Sequence, residues 1–192
     1  QNGLPGHRIR VVRHGQAIDW ADQVRRKPSP RLRLGFLGNV ITVKGVHVLI
    51  DAFRRLQPND RLELHIFGND TFDQDYTHQL RSNLPANTVW HGAYERAQLP
   101  SILSEIDVVV VPSIWHENAP LVIQEAFAAG CPVLVSNLGG MAEVVDNFKN
   151  GLHFQVGSAE DLAAKIGILA ANPSLLATMR ANLPPVKPIQ QE

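Results

Sequence analysis

Two glutamates, Glu117 and Glu125, stand eight positions apart in the segment 115–125. Glu125 shares its predicted helical face with four apolar residues, Leu121, Val122, Ala128 and Ala129. A carboxylate inside such a stripe is costly unless another group hydrogen-bonds it. The vicinal hydroxyls of a sugar are suitable partners, since one carboxylate can accept from both. A core arginine or a backbone amide would serve equally well, so the pattern alone leaves the partner open.

The loop at residues 38–45 is a second candidate, because it links a predicted strand to a predicted helix and contains Lys44. Free amides and the dipole at a helix N-terminus attract phosphate. The loop is neither a Walker A motif nor GxGxxG. A lysine at that end of a helix is unfavourable unless an anion shares the position. The loop is therefore either a phosphate site or a tight turn with a solvated lysine.

The segment 137–143 contains the third candidate, the paired glycines Gly139 and Gly140. Paired glycines permit close backbone approach or positive φ. The simplest interpretation is a tight turn that places Glu143 at a helix N-terminus.

The predicted helix that contains Glu125 has its own start signals. Asn118 is its predicted N-cap, and Pro120 lies near its first turn.

Other catalytic patterns are absent from the sequence. His116-Glu117 lacks the second histidine of an HExxH helix, and no GxSxG elbow occurs. The single Cys131 excludes a disulfide framework and is expected to be a small buried side chain.

Composition narrows the class of protein further. The 192 residues suit one domain, and 18 basic against 18 acidic side chains argue against a nucleic-acid partner. No apolar run approaches the roughly 18 residues of a membrane-spanning helix. A local basic cluster is either a solvated connector or a contact for acidic lipid head groups, and it comprises Arg25, Arg26, Lys27, Arg31 and Arg33.

Strands and helices alternate along the chain. Strands are predicted at 8–12, 32–37, 61–68, 87–91, 107–111, 132–136 and 150–156. Helices are predicted at 44–56, 72–82, 96–106, 120–129, 141–146, 159–171 and 173–180. This alternation predicts an α/β fold, a Rossmann-like doubly wound parallel sheet. We expect a strand and connector at 1–30, the main domain at 31–182 and an extended tail at 183–192.

Ligands of such sheets bind beyond the carboxyl ends of the strands. The candidate loops are therefore those that follow Leu37, Phe67, His91, Val111 and Val135.

The motifs occur in a fixed order, at 38–46, 64–68, 91–92, 107–113, 117–126, 129–133, 139–143 and 150–152. In this order they resemble the C-terminal, nucleotide-sugar-binding domain of GT-B fold glycosyltransferases of the retaining family-4, or group 1, type. The resemblance covers about residues 8–171.

The resemblance implies a role for each candidate. Glu125 would accept hydrogen bonds from ribose, Glu117 would contact the transferred sugar, and Lys44 would neutralise the diphosphate. Lys44 and Glu117 are the predicted catalytic residues. The predicted nucleotide-sugar site comprises Gly38, Asn39, Lys44, Tyr94, Asn118, Ala119, Pro120, Leu121, Val122 and Glu125.

The resemblance also implies the setting. The expected reaction takes a sugar from a nucleoside-diphosphate sugar to a glycan or glycolipid, without a metal or other cofactor, in polysaccharide-type biosynthesis. Cytoplasmic location is expected, with peripheral contact at the inner face of the membrane as an option. The family's N-terminal acceptor domain has no counterpart here, so we expect this chain to be inactive alone.

One position departs from the family pattern. Many members carry arginine where this chain has Asn39. Asn39 favours one alternative, a non-catalytic GT-B homologue acting as a scaffold or regulatory partner. A second alternative, a nucleotide-sugar epimerase or phosphorylase on the same fold, is disfavoured by the spacing of Glu117 and Glu125 but stays open.

Overall fold

The computed structural model describes residues 17–118 and 120–186. Six strands form one parallel sheet in the order β3-β2-β1-β4-β5-β6. The strands are β1 Leu32–Leu37, β2 Leu62–Phe67, β3 Thr88–Gly92, β4 Val108–Val111, β5 Val133–Ser136 and β6 Gly151–Phe154. The prediction of a doubly wound parallel sheet is confirmed. The predicted strand at 8–12 and the end of the predicted tail lie outside the described residues.

Helices cover both faces of the sheet. They are α1 Val46–Arg55, α2 Gln74–Arg81, α3 Leu99–Glu105, α4 Leu121–Ala128, α5 Gly139–Val144, α6 Ala159–Ala171 and α7 Pro173–Ala181. Within the described ranges no single helix is long and apolar enough to cross a membrane. Helices α6 and α7 reach that length and composition only together, across a 93° bend.

Alternate residues of the central strands fill two cores. Val108 and Val110 of β4 pack with α1, α6 and α7, whereas Val109 and Val111 pack with α3 and α4. Because side chains alternate across a strand, a strand covered on both faces reads as a continuous apolar run. That is why the run of four valines was recognisable in the sequence.

Several helix boundaries differ from prediction. The predicted helix at 96–106 is a 3₁₀ turn, Arg96–Gln98, followed by α3 with Pro100 near its start. The predicted helix at 44–56 begins only at Val46, after the 3₁₀ turn Thr42–Lys44.

The predicted N-cap of the glutamate helix is wrong. Pro120, not Asn118, occupies the cap position of α4, and its carbonyl accepts a hydrogen bond from the Ile123 amide at 3.1 Å. Asn118 is exposed and precedes the cap by two residues.

The third candidate, the segment with the paired glycines, also differs from prediction. Helix α5 begins at Gly139 rather than Met141, so Glu143 lies near its C-terminal end and not at its N-terminus. The glycines themselves form the first turn, because that turn packs directly on neighbouring backbone.

Strand order reverses between β1 and β4, which lie side by side. Helix α1 follows β1 on one face and α4 follows β4 on the other. The loops leaving these two strands therefore diverge and open a crevice at the carboxyl edge of the sheet.

Candidate functional site

Glu125 projects from α4 and is only 8% exposed. The Arg96 guanidinium donates to Glu125 Oε1 over 3.1 Å. Burial raises the pKa of Glu125, and Arg96 opposes that rise. The sequence left the partner of Glu125 open, and in the structure this partner is an arginine. Arg96 is half exposed and lies at the rim of the crevice, so ligand hydroxyls can still reach the carboxylate.

A cavity of about 420 Å³ opens at the carboxyl ends of β1, β2 and β3. Four predicted site residues line it: Gly38, Asn39, Tyr94 and Glu125. The Tyr94 ring packs edge-on against Phe67, with ring centroids 6.3 Å apart. Burial raises the pKa of Tyr94 to about 12, so its hydroxyl is neutral in the ordinary pH range. An aromatic residue, Tyr94, and a carboxylate, Glu125, therefore line the same cavity.

Lys44 and Glu117 form an ion pair beside this cavity's loops. Lys44 Nζ lies 2.5 Å from Glu117 Oε1, and the same oxygen accepts a hydrogen bond from Ser113 Oγ at 2.9 Å. Both charged side chains are partly exposed. Lys44 is therefore not simply solvated, and its ammonium is held at the open edge of the sheet.

Gly45 explains how the lysine loop reaches the loop after β4. Its φ is +69°, and a Cβ there would lie 2.0 Å from the Pro112 carbonyl oxygen. The Ile114 amide also donates to the Val43 carbonyl at 2.9 Å. Only glycine permits this backbone contact, which places Lys44 next to Glu117.

Gly140 permits a similar backbone contact on the other side of Glu117. Its amide donates to the Glu117 carbonyl at 2.9 Å, and a Cβ on it would lie 2.4 Å from the Asn118 carbonyl oxygen. Gly139 has φ +51°. Both expectations for the paired glycines, close approach and positive φ, are confirmed.

The N-terminus of α4 faces the same edge. Leu121 and Val122 form its first turn, and no side chain caps it. Pro120 has no N–H, so it cannot be one of the amides expected to hold a phosphate. The predicted site residue Ala119 lies outside the described residues.

Sequence reasoning missed several residues of this site. Arg96 and Ser113 pair with the two glutamates, and Gly68 and Asn69 line the cavity. Gly68 had a detectable signal, since a glycine ends the predicted strand; a Cβ there would lie 1.8 Å from the Gly38 carbonyl oxygen. Arg96 had no detectable signal in the sequence, because its partner Glu125 is 29 positions away in the chain.

No three His, Cys, Asp or Glu side chains are arranged to hold a metal ion in the part of the chain that the structure describes. Metal independence stays a prediction.

Solved structures identify the class of protein that has this fold and crevice. HepE from Anabaena, in complex with UDP and glucose, superposes with a TM-score of 0.78 and 26% identity over 94% of this chain and 52% of that one. The C-terminal domain of a glycosyl transferase group 1 family protein from Francisella tularensis shares the fold, with a TM-score of 0.68 and 22% identity over 85% and 86% of the two chains. The fold is that of a GT-B glycosyltransferase.

The chain belongs to the family "Glycosyl transferases group 1", whose sequence profile matches residues 19–184. Glycogen synthase of Mycobacterium tuberculosis is 31% identical over 169 residues, which is 86% of this chain and 41% of that protein. D-inositol 3-phosphate glycosyltransferase of Rhodococcus jostii is 29% identical over 95% of this chain and 44% of that protein. The chain thus spans less than half the length of these two relatives.

Proposed function

We propose that this chain is the donor-binding domain of a retaining glycosyltransferase that transfers a sugar from a nucleoside-diphosphate sugar. One observation carries the proposal. Glu125 lines a cavity of about 420 Å³ at the carboxyl edge, and the Lys44–Glu117 pair and the α4 N-terminus lie in loops of the same edge, outside the lining of that cavity. A ribose, a diphosphate and a sugar could each meet chemically matched groups there.

Each group has a distinct task in this proposal. The Glu125 carboxylate accepts from the ribose hydroxyls, while Tyr94 and its loop flank the nucleobase. Lys44 and the amides of the α4 N-terminus hold the diphosphate. Asn39 lines the cavity where many relatives have a cation, so the positive charge on the phosphates rests mainly on Lys44.

The Lys44–Glu117 pair supports transfer of the sugar. Charge grows on the leaving nucleoside diphosphate in the transition state, and a fixed cation beside it is most useful there. In the free domain Glu117 holds the ammonium in place. When a donor binds, the diphosphate shares the ammonium, and the other Glu117 oxygen is available for the hydroxyls of the transferred sugar.

UDP-sugars are the first donors to test. HepE was solved in complex with UDP and glucose and in complex with UDP-glucose, at 26% and 25% identity to this chain. The family membership and the shared fold make a uridine diphosphate the starting ligand.

A second domain completes the proposed enzyme. This chain covers 52% of HepE and 41% of the glycogen synthase, and the Francisella structure is a C-terminal domain of nearly equal extent. We propose that an N-terminal domain binds the acceptor and that this domain alone does not turn over. Cytoplasmic location, optional membrane contact and a role in polysaccharide or glycolipid assembly belong to the same proposal.

Calorimetric titration of the domain tests donor binding directly. UDP, GDP, ADP and UDP-glucose are titrated without and with a chelator, and circular dichroism verifies the fold. We expect UDP and UDP-glucose to bind, with affinities that the chelator does not change. If none of the four ligands bound to the folded domain, the donor role would be wrong and the scaffold alternative would gain support.

A further inference from the structure

The basic cluster predicted in the connector is divided in the structure: Arg25 and Lys27 are exposed, whereas Arg26 and Arg33 contact the sheet. Arg26 donates to the carbonyls of Ile106 and Gly130, at 2.6 and 3.1 Å. Lys27 pairs with Glu105 at 2.5 Å. These side chains fold back onto the amino-terminal edge of the sheet, opposite the donor loops.

One buried carboxylate at that edge is shared by three arginines. Arg33 contacts both Asp107 oxygens, with Nε 3.0 Å from Oδ2 and Nη2 3.3 Å from Oδ1. Arg180 Nη2 donates to Oδ1 at 3.0 Å, and Arg26 Nη1 lies 3.6 Å from the same oxygen. Three positive charges therefore surround one negative charge.

A cavity of about 360 Å³ opens beside this cluster. Three arginines line it, Arg31, Arg61 and Arg180, together with the carboxylate of Asp107. Its other wall is apolar and includes Leu169 and Leu176. Strands β1, β2 and β4 all begin around it, so it lies at the amino-terminal edge.

The arginines of this cavity have unused hydrogen-bonding capacity. Arg180 Nε is buried and has no hydrogen-bond partner within residues 17–118 and 120–186. Arg61 is exposed and forms no ion pair in the same ranges. Arg31 has only a distant partner, Glu63 at 3.8 Å.

An anion would offset this excess of positive charge. Burial and, to a smaller extent, the neighbouring Arg26 lower the pKa of Arg180, whereas Asp107 raises it. Guanidinium groups present planar pairs of N–H donors that match phosphate oxygens. A phosphoryl group is therefore the anion that this geometry suits best.

We propose that the cavity between Arg61 and Arg180 binds the phosphoryl group of a phosphomonoester. The apolar part of that ligand packs against Leu169 and Leu176. The site is separate from the donor cavity. The two lie at opposite ends of β1, whose six residues span about 20 Å. Ligand at one site does not physically obstruct the other.

Two sources share this chemistry, a soluble phosphorylated metabolite and a phospholipid head group. The experiment therefore uses three probes. Phenyl phosphate and inorganic phosphate are titrated by calorimetry in the presence of saturating UDP, and phosphatidylcholine vesicles with and without phosphatidic acid are tested by co-sedimentation. We expect phenyl phosphate to bind more tightly than inorganic phosphate, because only the former has a ring for the apolar wall.

Arg61→Gln and Arg180→Gln are the test variants, and Arg55→Gln is the matched control. Arg55 is exposed on α1 and outside the cavity, and its change removes the same charge. We expect each test variant to bind phenyl phosphate roughly tenfold more weakly than wild type, with the control unchanged. Arg61→Gln protects the test from misfolding, since Arg61 is exposed.

The vesicle arm decides the source. If the wild-type protein sediments with phosphatidic acid vesicles and Arg61→Gln does not, the site binds a lipid head group. If phenyl phosphate binds but the protein does not sediment with the vesicles, the site binds a soluble ligand. Equal affinities in wild type, Arg61→Gln and Arg180→Gln would overturn the proposal. So would loss of phenyl phosphate binding in Lys44→Met, because the anion would then occupy the donor cavity.

Discussion

Lys44 Nζ and Glu117 Oε1 lie 2.5 Å apart although the two residues are 73 positions apart in the chain. Each comes from a loop after a different strand, β1 or β4, and these strands are neighbours only because the chain crosses over between them. Gly45 allows the two loops to touch, and Gly140 allows the segment after β5 to pack against the backbone at Glu117. The pair therefore depends on the fold and cannot exist in either loop alone.

Replacing Lys44 with Met should weaken UDP binding roughly tenfold or more, because the diphosphate loses its main cation. Binding of uridine, which has no phosphate, should hardly change. Calorimetry measures both affinities. Lys149→Met is the matched control, because Lys149 is an exposed lysine paired with Asp146 far from the cavity. An equal loss in both variants would point to a general charge effect and contradict a placed phosphate ligand.

Replacing Glu125 with Gln should weaken UDP binding roughly tenfold and leave pyrophosphate binding unchanged, because only UDP contains ribose. Glutamine keeps the shape of the side chain but is a poorer acceptor for two hydroxyls. Titration of both ligands gives the ratio. If pyrophosphate lost as much affinity as UDP, or if the variant failed to fold, Glu125 would be a structural residue held by Arg96.

Replacing Gly140 with Ala should destabilise the domain by about 1–3 kcal/mol, the usual cost of forced overpacking. The new Cβ would meet the Asn118 carbonyl oxygen at 2.4 Å and push the Glu117 loop away from Lys44. UDP affinity should fall as well. Urea unfolding and calorimetry measure the two effects.

Gly167→Ala is the control for that substitution, since a Cβ there meets nothing within 4 Å. Gly167 lies inside α6, where alanine is favoured over glycine by about 0.5–1 kcal/mol. This variant should be more stable than wild type and bind UDP equally well. Similar behaviour of the two alanine variants would show that Gly140 has no special role.

Stability should fall as the solution is acidified through the histidine range. Burial lowers the pKa of His65 below its ordinary value of 6.5, with Glu63 opposing, and burial also lowers that of His91. The unfolded chain therefore binds more protons than the folded one, so this contribution is present above about pH 6.5 and is lost as pH falls through the folded-state pKa. Urea unfolding at about pH 8 and about pH 5.5 measures the loss.

His65→Gln should flatten that pH dependence, whereas His78→Gln should not, because His78 is exposed on α2. His65 Nδ1 lies 3.0 Å from His91 Nε2, so protonating both rings would place two cations side by side. An unchanged slope in His65→Gln would assign the acid sensitivity to other groups.

Much of the fold could be predicted from the sequence because its signals are local. Strand β1 and helix α6 need only apolar periodicity within a short stretch of chain, and both were predicted with the bounds that the structure has. The boundaries that failed, at Asn118 and Met141, depend on how backbone packs around Pro120 and Gly140.

The sequence by itself determined the residue types at the candidate site: two glutamates, a lysine and two glycine-containing loops. It also determined that these would lie at the carboxyl edge of a parallel sheet. Only the tertiary structure decided their partners. Arg96 reaches Glu125 and Ser113 reaches Glu117 because crossovers bring separate loops to one edge. The same packing gathers arginines from three separate segments around Asp107, and no local pattern records such contacts, because the free energy that selects them comes from burial of the whole sheet.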